Sequence, residues 1–423
     1  MNITVKKPSN GLHGEIIIPS DKSLSHRAII LSSLAFGKSV IKNFSKGQDP
    51  FSTLNVCKNL GINVEFYEEK LTVFSNGKVN KPKGMLNCGN SGTTMRLISG
   101  VLAAQNFEST LIGDESLTKR PMKRIIEPLT MMGAKIDSDN FHAPLKITGQ
   151  QLYGIKYNSP LSSAQVKSAI LLAGLFAEGQ TVLTEPYVSR NHTELMLQFM
   201  NANIKIEQNK TTVEKSFLEP RTIEIAGDIS SAAYFIAAGL IIPNSKIILK
   251  NVGLNPTRTG ILDVLKSMGA NIEILDEKTV SNELVGDLKI EYSKLHAAEI
   301  SEEIIPRLID EIPIIAVLAT QAEGITIIRN AEDLRNKESD RIKLTVKELK
   351  KLGAEIEEIP DGMIINGKTP LKGNTEVNCH KDHRLAMSLY TAGLISQKEI
   401  LIHDFEWVNI SFPEFLNLFN ELC

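Results

Sequence analysis

One pattern recurs six times along this chain and limits the folds open to it. An apolar helical run is followed by a short break of small or polar residues and then by a β-branched strand. It reads "IILSSLAFGKSVIKN" at 29–43, "ISGVLAAQNFESTLI" at 98–112 and "LLAGLFAEGQTVLTE" at 171–185. It returns as "FIAAGLIIPNSKIILK" at 235–250, "AVLATQAEGITIIRN" at 316–330 and "LYTAGLISQKEILIH" at 389–403. The copies lie roughly 65 to 80 residues apart, too long for a solenoid repeat and suited to a whole βαβ-type module.

A second helix alternates with the first and ends in a small residue before another strand, as in "LGINVEF", "MGAKID", "MNANIKIE", "MGANIEIL" and "LGAEIEEI". In "ESDRIKLTVKELKKLGAEIEEI" the residues Ile342, Val346, Leu349 and Leu352 fall on one helical face, and Gly353 suits the position after the cap. The sixth such helix, "FPEFLNLFNELC", has no strand after it, so the amino-terminal "GEIIIP" is expected to complete that last unit. Six units make an α/β protein of two lobes with three repeats each. The expected boundaries are 20–226 for one lobe and 1–19 with 227–423 for the other. The chain would then cross twice, near Pro19–Lys22 and near Glu224–Asp228, a joint that permits hinge closure.

The length of 423 residues is itself too great for one ordinary core. A net charge of −2 argues against a general polyanion binder, so any anion site must come from local clustering. Cys57, Cys88, Cys379 and Cys423 form no C-x-x-C pair and read as free thiols in a reducing compartment. The start lacks the apolar core of a signal peptide, and no apolar run could span a membrane. A cytoplasmic setting is expected.

Residues ahead of the helices carry the chemistry. The first series begins with "PSDKSLSHR", "CGNSGTTMR", "SSAQVKS", "GDISSAAY", "LIDEIP" and "HKDHR"; the second with "KRPMKR", "SRNHTE", "NPTRTG" and "NKESDR". Ser, Thr, Asn and Asp there are capping residues. The cations Lys22, Arg27, Arg96, Arg120, Lys167, Arg190, Arg341 and Arg384 are not, because a helix amino end repels positive charge. Arg27, Arg96, Arg120, Arg190 and Arg341 are expected in first turns. One cap beside one arginine is ordinary helix chemistry; its repetition predicts helix ends and cations converging on small, multiply charged anions.

Two places offer acid–base groups. Asp310 and Glu311 directly precede an apolar helix with Pro313 in its first turn, so capping accounts for one carboxylate and leaves the other available. "NKESDR" packs Lys337, Glu338, Asp340 and Arg341 around Ser339, an expected cap. "CHKDH" matches no zinc spacing, and no metal is expected. Phosphate-loop, dinucleotide and serine-elbow motifs do not occur.

Taken in order, "PSDKSLSHRA", "CGNSGTTMRL", "KRPM", "SSAQVKSA", "NPTRTG", "IDEIP", "LRNKESDR" and "DHRLAM" resemble the enolpyruvyl transferase family, specifically its shikimate-pathway branch. The resemblance runs from 19 to 387. It implies a two-lobed fold of βαβαββ units with helices converging on an interdomain cleft. The implied reaction adds the 5-hydroxyl of shikimate 3-phosphate to C2 of phosphoenolpyruvate, protonates C3 and then expels phosphate. It implies no cofactor and two small-molecule substrates, in a monomer with no nucleic-acid or membrane partner. By matching position, Lys22, Ser23, Arg27, Ser163, Gln165 and Lys337 would hold shikimate 3-phosphate, with Arg190 a further phosphate ligand. Lys22, Gly92, Arg120, Gln165, Arg341 and Arg384 would surround phosphoenolpyruvate, with Asn90 shaping the turn. Asp310 would accept the 5-hydroxyl proton, and Glu338 and Lys22 would protonate the methylene carbon. Ile410 departs from a lysine that some members carry, and Gly92 matches members sensitive to glyphosate.

Two rivals remain. The sister enzyme acting on UDP-N-acetylglucosamine shares the fold but typically uses a loop cysteine and a Lys-Asn pair, whereas this chain has Lys22–Ser23. A non-catalytic polyanion binder would have no use for Asp310 and Glu338 among its cations. Lobes joined by two crossings are predicted to close on shikimate 3-phosphate, contracting the solution-scattering profile. Identical profiles with and without that ligand would remove the expectation.

Overall fold

The computed structural model describes residues 1–67 and 70–423. They divide into two compact units. An amino-terminal unit holds Ser20–Ile225 with Val280–Glu283, the tip of a hairpin. A carboxy-terminal unit holds Met1–Pro19, Ala226–Thr279 and Leu284–Cys423.

Each of the six repeated segments folds as a helix followed by a strand. The pairs are Lys22–Leu34 with Phe36–Lys42, Gly92–Ala103 with Glu108–Ile112, and Ala164–Gly174 with Thr181–Thr184. In the other unit they are Ile229–Ile241 with Lys246–Gly253, Ile312–Gln321 with Ile325–Ile328, and His383–Ile395 with Ile400–His403. These helices are apolar nearly all round, the composition of a helix inside a core, and every residue of Ile229–Ile241 is buried. The second series is amphipathic. On Arg341–Lys351 the face of Ile342, Val346 and Leu349 is buried, with Leu352 at the C-cap, and Gly353 follows at φ +93°, a conformation glycine adopts freely.

Among the described residues five of the six small mixed sheets share one four-stranded plan, and the sixth has three strands. A strand runs parallel to the one after the central helix, and the hairpin from the second helix adds antiparallel strands, as in Leu86–Asn87, Glu108–Ile112, His142–Thr148 and Lys135–Asp139. Sequence position misleads at the crossings. His13–Ile17 leads into the Lys22 helix yet pairs with Lys246–Gly253, and Thr222–Glu224 leads into the Ile229 helix yet pairs with Phe36–Lys42. The expectation for "GEIIIP" is therefore corrected. That strand opens the fourth module, and the sixth is completed by Ile3–Val5, antiparallel to Ile400–His403. Val5 is buried against the core there.

Within the amino-terminal unit, the helix Gly92–Ala103 packs against Ala164–Gly174 so closely that a β-carbon on Gly100 would lie 2.2 Å from the carbonyl oxygen of Ala169. In the carboxy-terminal unit the last helix is anchored by aromatic contacts, with Phe419 stacked on Phe235 at 4.3 Å and Phe415 edge-on to Tyr390 at 5.2 Å. No helix among the described residues is long and apolar enough to cross a membrane. Gly100→Ala should destabilise the protein by about 1–3 kcal/mol through overpacking, read from the denaturant midpoint; an unchanged midpoint would contradict the close approach.

Candidate functional site

In the carboxy-terminal unit the amino ends of four helices meet. Asp382 caps His383–Ile395 by accepting from the Arg384 backbone N–H at 2.8 Å. The same buried carboxylate takes Nε of Arg341 at 2.9 Å and the Ser339 hydroxyl at 2.9 Å. Arg341 opens Arg341–Lys351, and its other nitrogens reach Asp310 Oδ1 at 3.3 Å and Glu338 Oε2 at 2.5 Å. Burial opposes the charge on Arg341, but Asp382, Glu338 and Asp310 outweigh it and raise its pKa beyond the usual value. Arg384 is buried too, donating to the carbonyl of Ser230 at 3.2 Å; despite burial, Tyr234, Asp310, Asp228 and Glu311 raise its pKa.

Two capping expectations are corrected here. Asp340, not Ser339, caps the Arg341 helix, accepting from Lys343 N–H at 3.0 Å, and this frees the serine for Asp382. Glu311 stands at the N-cap of Ile312–Gln321 but its side chain makes no cap bond, because a short 3-10 turn, Ile309–Glu311, already leads into the helix. Instead Asp310 faces Arg341, and buried Glu311 accepts the Ser230 hydroxyl. Ser230 also takes a bond from Arg258, whose guanidinium lies 3.2 Å from the capping carboxylate of Asp228. Ile410 is buried in the Phe405–Ile410 turn as an ordinary apolar residue.

The amino-terminal unit gathers its own set. Lys22 opens Lys22–Leu34 under the Asp21 cap, with its ammonium 3.0 Å from Asp49 in the first turn of Gln48–Asn59. Arg27 is buried; it donates to the Ser23 carbonyl at 3.0 Å, to the Thr193 hydroxyl at 2.7 Å and to Ser168 at 2.8 Å. Arg120 bonds Asn90 at 3.1 Å, and Asn90 in turn donates to Asp114 at 2.8 Å. Gln165 accepts from Arg96 at 2.7 Å and donates to Thr93 at 2.9 Å. A β-carbon on Gly92 would lie 2.7 Å from Arg96 Nη1 and 3.4 Å from Arg120 Nη1, so a side chain there displaces the Arg96 guanidinium and touches that of Arg120. A hydroxyl chain ties the helices together: His26 Nδ1 to Thr53 at 2.6 Å, Thr53 to Thr94 at 2.6 Å, and Thr94 to the Ser91 cap at 2.8 Å. Burial, then the charges of Lys22 and Arg27, lower the pKa of His26 so that it stays neutral.

The placement of cations also needs correction. Of the five arginines expected in first turns, Arg341 alone sits in one; Arg27 and Arg96 lie a turn further in, and Arg120 and Arg190 precede their helices. Lys167 is no anion ligand: it is buried, 2.7 Å from Glu185, 2.8 Å from Glu194 and 3.1 Å from the Ser189 carbonyl. Burial would strip its proton, but the two carboxylates prevail and raise its pKa. Glu185 also accepts from the Ser163 backbone and the Ser189 hydroxyl, so this ion pair fixes the Ser163 cap beside the segment carrying Arg190. Sequence reasoning overlooked Asp382, Asp49 and Arg258; each lay within or near a quoted motif, but charge partners distant in sequence leave no local signal.

In each unit, helix ends present guanidinium or ammonium groups with carboxylates among them, an arrangement suited to small anions. The fold agrees with a solved enolpyruvyl transferase, NikO of Streptomyces tendae, at a TM-score of 0.79 and 16% identity over 100% of this chain and 97% of that one. An EPSP synthase from Acinetobacter baumannii matches at a TM-score of 0.88 and 40% identity, over 99% of this chain and 98% of its own. The family described as EPSP synthase (3-phosphoshikimate 1-carboxyvinyltransferase) matches residues 6–419. Relatives of that name from Thermoanaerobacter sp. strain X514 and Bacillus subtilis strain 168 are each 50% identical, covering 100% of both chains and 97% of both chains respectively. The chain belongs to the EPSP synthase family.

Lys167→Met should cost about 3–5 kcal/mol of stability by leaving two buried carboxylates without their cation, with partial recovery on adding Glu194→Gln. A loss under about 1 kcal/mol in denaturant unfolding would return Lys167 to the list of surface cations.

Proposed function

We propose that this chain transfers the enolpyruvyl group of phosphoenolpyruvate to the 5-hydroxyl of shikimate 3-phosphate with the residues expected above. The observation that carries the reading is Arg341 gripped by Asp310 and Glu338 as well as by its anchor Asp382. Asp310 and Glu338 compete with an anion for the guanidinium and so weaken pure anion binding, whereas a proton-transferring site needs carboxylates at its cations.

In this reading Asp310 takes the proton of the 5-hydroxyl as its oxygen bonds to C2 of phosphoenolpyruvate. Glu338 or Lys22 gives a proton to C3, forming a tetrahedral ketal. The group that protonated C3 then takes a proton back, the bond between C2 and the phosphate oxygen breaks, and phosphate leaves with the proton that Asp310 had taken. Arg341, Arg384 and Arg120 suit the carboxylate and phosphate of phosphoenolpyruvate because each fork can bond bidentately. Ser23, Arg27, Ser163, Gln165, Arg190 and Lys337 would take shikimate 3-phosphate, with Asn90 orienting Arg120 and Gly92 leaving room. Full-length relatives at 50% identity, all of one name, disfavour the UDP-N-acetylglucosamine enzyme and the pure binder. Four free thiols accord with a cytoplasmic setting.

Phosphate release should require both substrates together. Asp310→Ala should lower turnover by about 10²-fold or more while largely sparing substrate binding. Equal loss of binding and turnover would make Asp310 structural.

A further inference from the structure

Between the 3-10 turn Glu332–Asn336 and the helix Arg341–Lys351 lie Lys337 and Glu338, on backbone with no regular hydrogen bonding of its own. Something must hold them still. We infer that Arg335 is a positioning residue that closes this segment into a loop and so sets Lys337 and Glu338 for the reaction; the inference rests on the assignment of those two residues above.

The geometry is specific. Arg335 Nη1 donates to both oxygens of Asp340, at 2.9 and 3.2 Å, joining the turn before Lys337 and Glu338 to the helix cap after them. The same nitrogen reaches Glu358 Oε1 at 2.8 Å. Nη2 donates to the Ile359 carbonyl at 2.9 Å, and Nε to the Pro360 carbonyl at 2.9 Å. One planar fork therefore grips the end of the strand Glu355–Ile359 and the cap of the following helix together. The same turn holds the start of the segment: Asn330 N–H donates to the Asp361 carboxylate at 2.7 Å, and Ala331 N–H to the Asp361 carbonyl at 2.7 Å. Within the loop so closed, Lys337 lies 3.0 Å from Asp333, and Glu338 reaches Arg341. A lysine could supply the charge but not four donors in one plane.

Steady-state kinetics with both substrates, on the full chain, tests this. Arg335→Ala should lower kcat by about 10-fold or more and raise KM for shikimate 3-phosphate more than KM for phosphoenolpyruvate. Guanidinium ion should restore much of kcat, where equal sodium chloride does not, because the gap left by a side chain 26% exposed opens to solvent and admits the missing fork. Arg335→Lys, which keeps the charge and most of the packing, should remain impaired. Wild-type constants in Arg335→Ala, full activity in Arg335→Lys, or a loss that guanidinium does not relieve would each overturn the positioning role. Should Arg335→Ala fail to fold, the Arg335→Lys result decides alone. Glu338→Gln and Lys337→Met separate the two layers: if both keep full activity, the underlying site assignment fails, whereas impairment of both beside an unaffected Arg335→Ala removes only the clamp.

Discussion

An arginine buried at the amino end of a helix is opposed twice, by desolvation and by the helix's own partial positive charge. The carboxy-terminal unit answers this twice, at Arg258 and Arg341, and uses the same device a third time at the partly exposed Arg335. Asp228, Asp340 and Asp382 each cap a helix through a backbone N–H and each also binds a guanidinium, from Arg258, Arg335 and Arg341 respectively. A cap alone contributes about 1 kcal/mol, and a hydrogen bond to a charged group about 1.5–3 kcal/mol. One carboxylate supplies both, so the helix end and the cation are fixed to each other. The gathering of cations, and the orientation of Asp310 and Glu338 around one of them, depends on this sharing.

The amino-terminal unit reaches a similar end by other means. Hydroxyl and amide oxygens receive Arg27, Arg96 and Arg120, and a chain from His26 through Thr53 and Thr94 to Ser91 locks neighbouring helices. The Lys167 ion pair lies beneath, where it organises Ser163 and the segment before Arg190. Its apparent membership of the cation series was a consequence of spacing alone.

Much of the fold was legible because period and punctuation are local properties. The six helix–strand segments, the buried face of the Arg341 helix and the glycine at its end all follow from residues within a few positions of one another. Strand partners at the crossings were not legible: "GEIIIP" precedes one helix and pairs beside another, and no local signal distinguishes the two. The site followed the same division. Lys22, Arg120, Arg341, Arg384, Asp310 and Glu338 announced themselves as charges at helix starts, while the holders Asp49, Asp382 and Arg335 are defined by contacts that only folding creates. The caps showed the limit most sharply, since Ser339 and Asp340 are adjacent and equally suited by type.

The sharing of Asp382 between a cap and Arg341 can be tested alone, because asparagine also caps helices but carries no charge. The measurement is kcat/KM for phosphoenolpyruvate in Asp382→Asn, beside its denaturant midpoint. The account predicts a fall of about 10²-fold in kcat/KM with a much smaller proportional change in stability. Unchanged kcat/KM in a folded Asp382→Asn protein would contradict it.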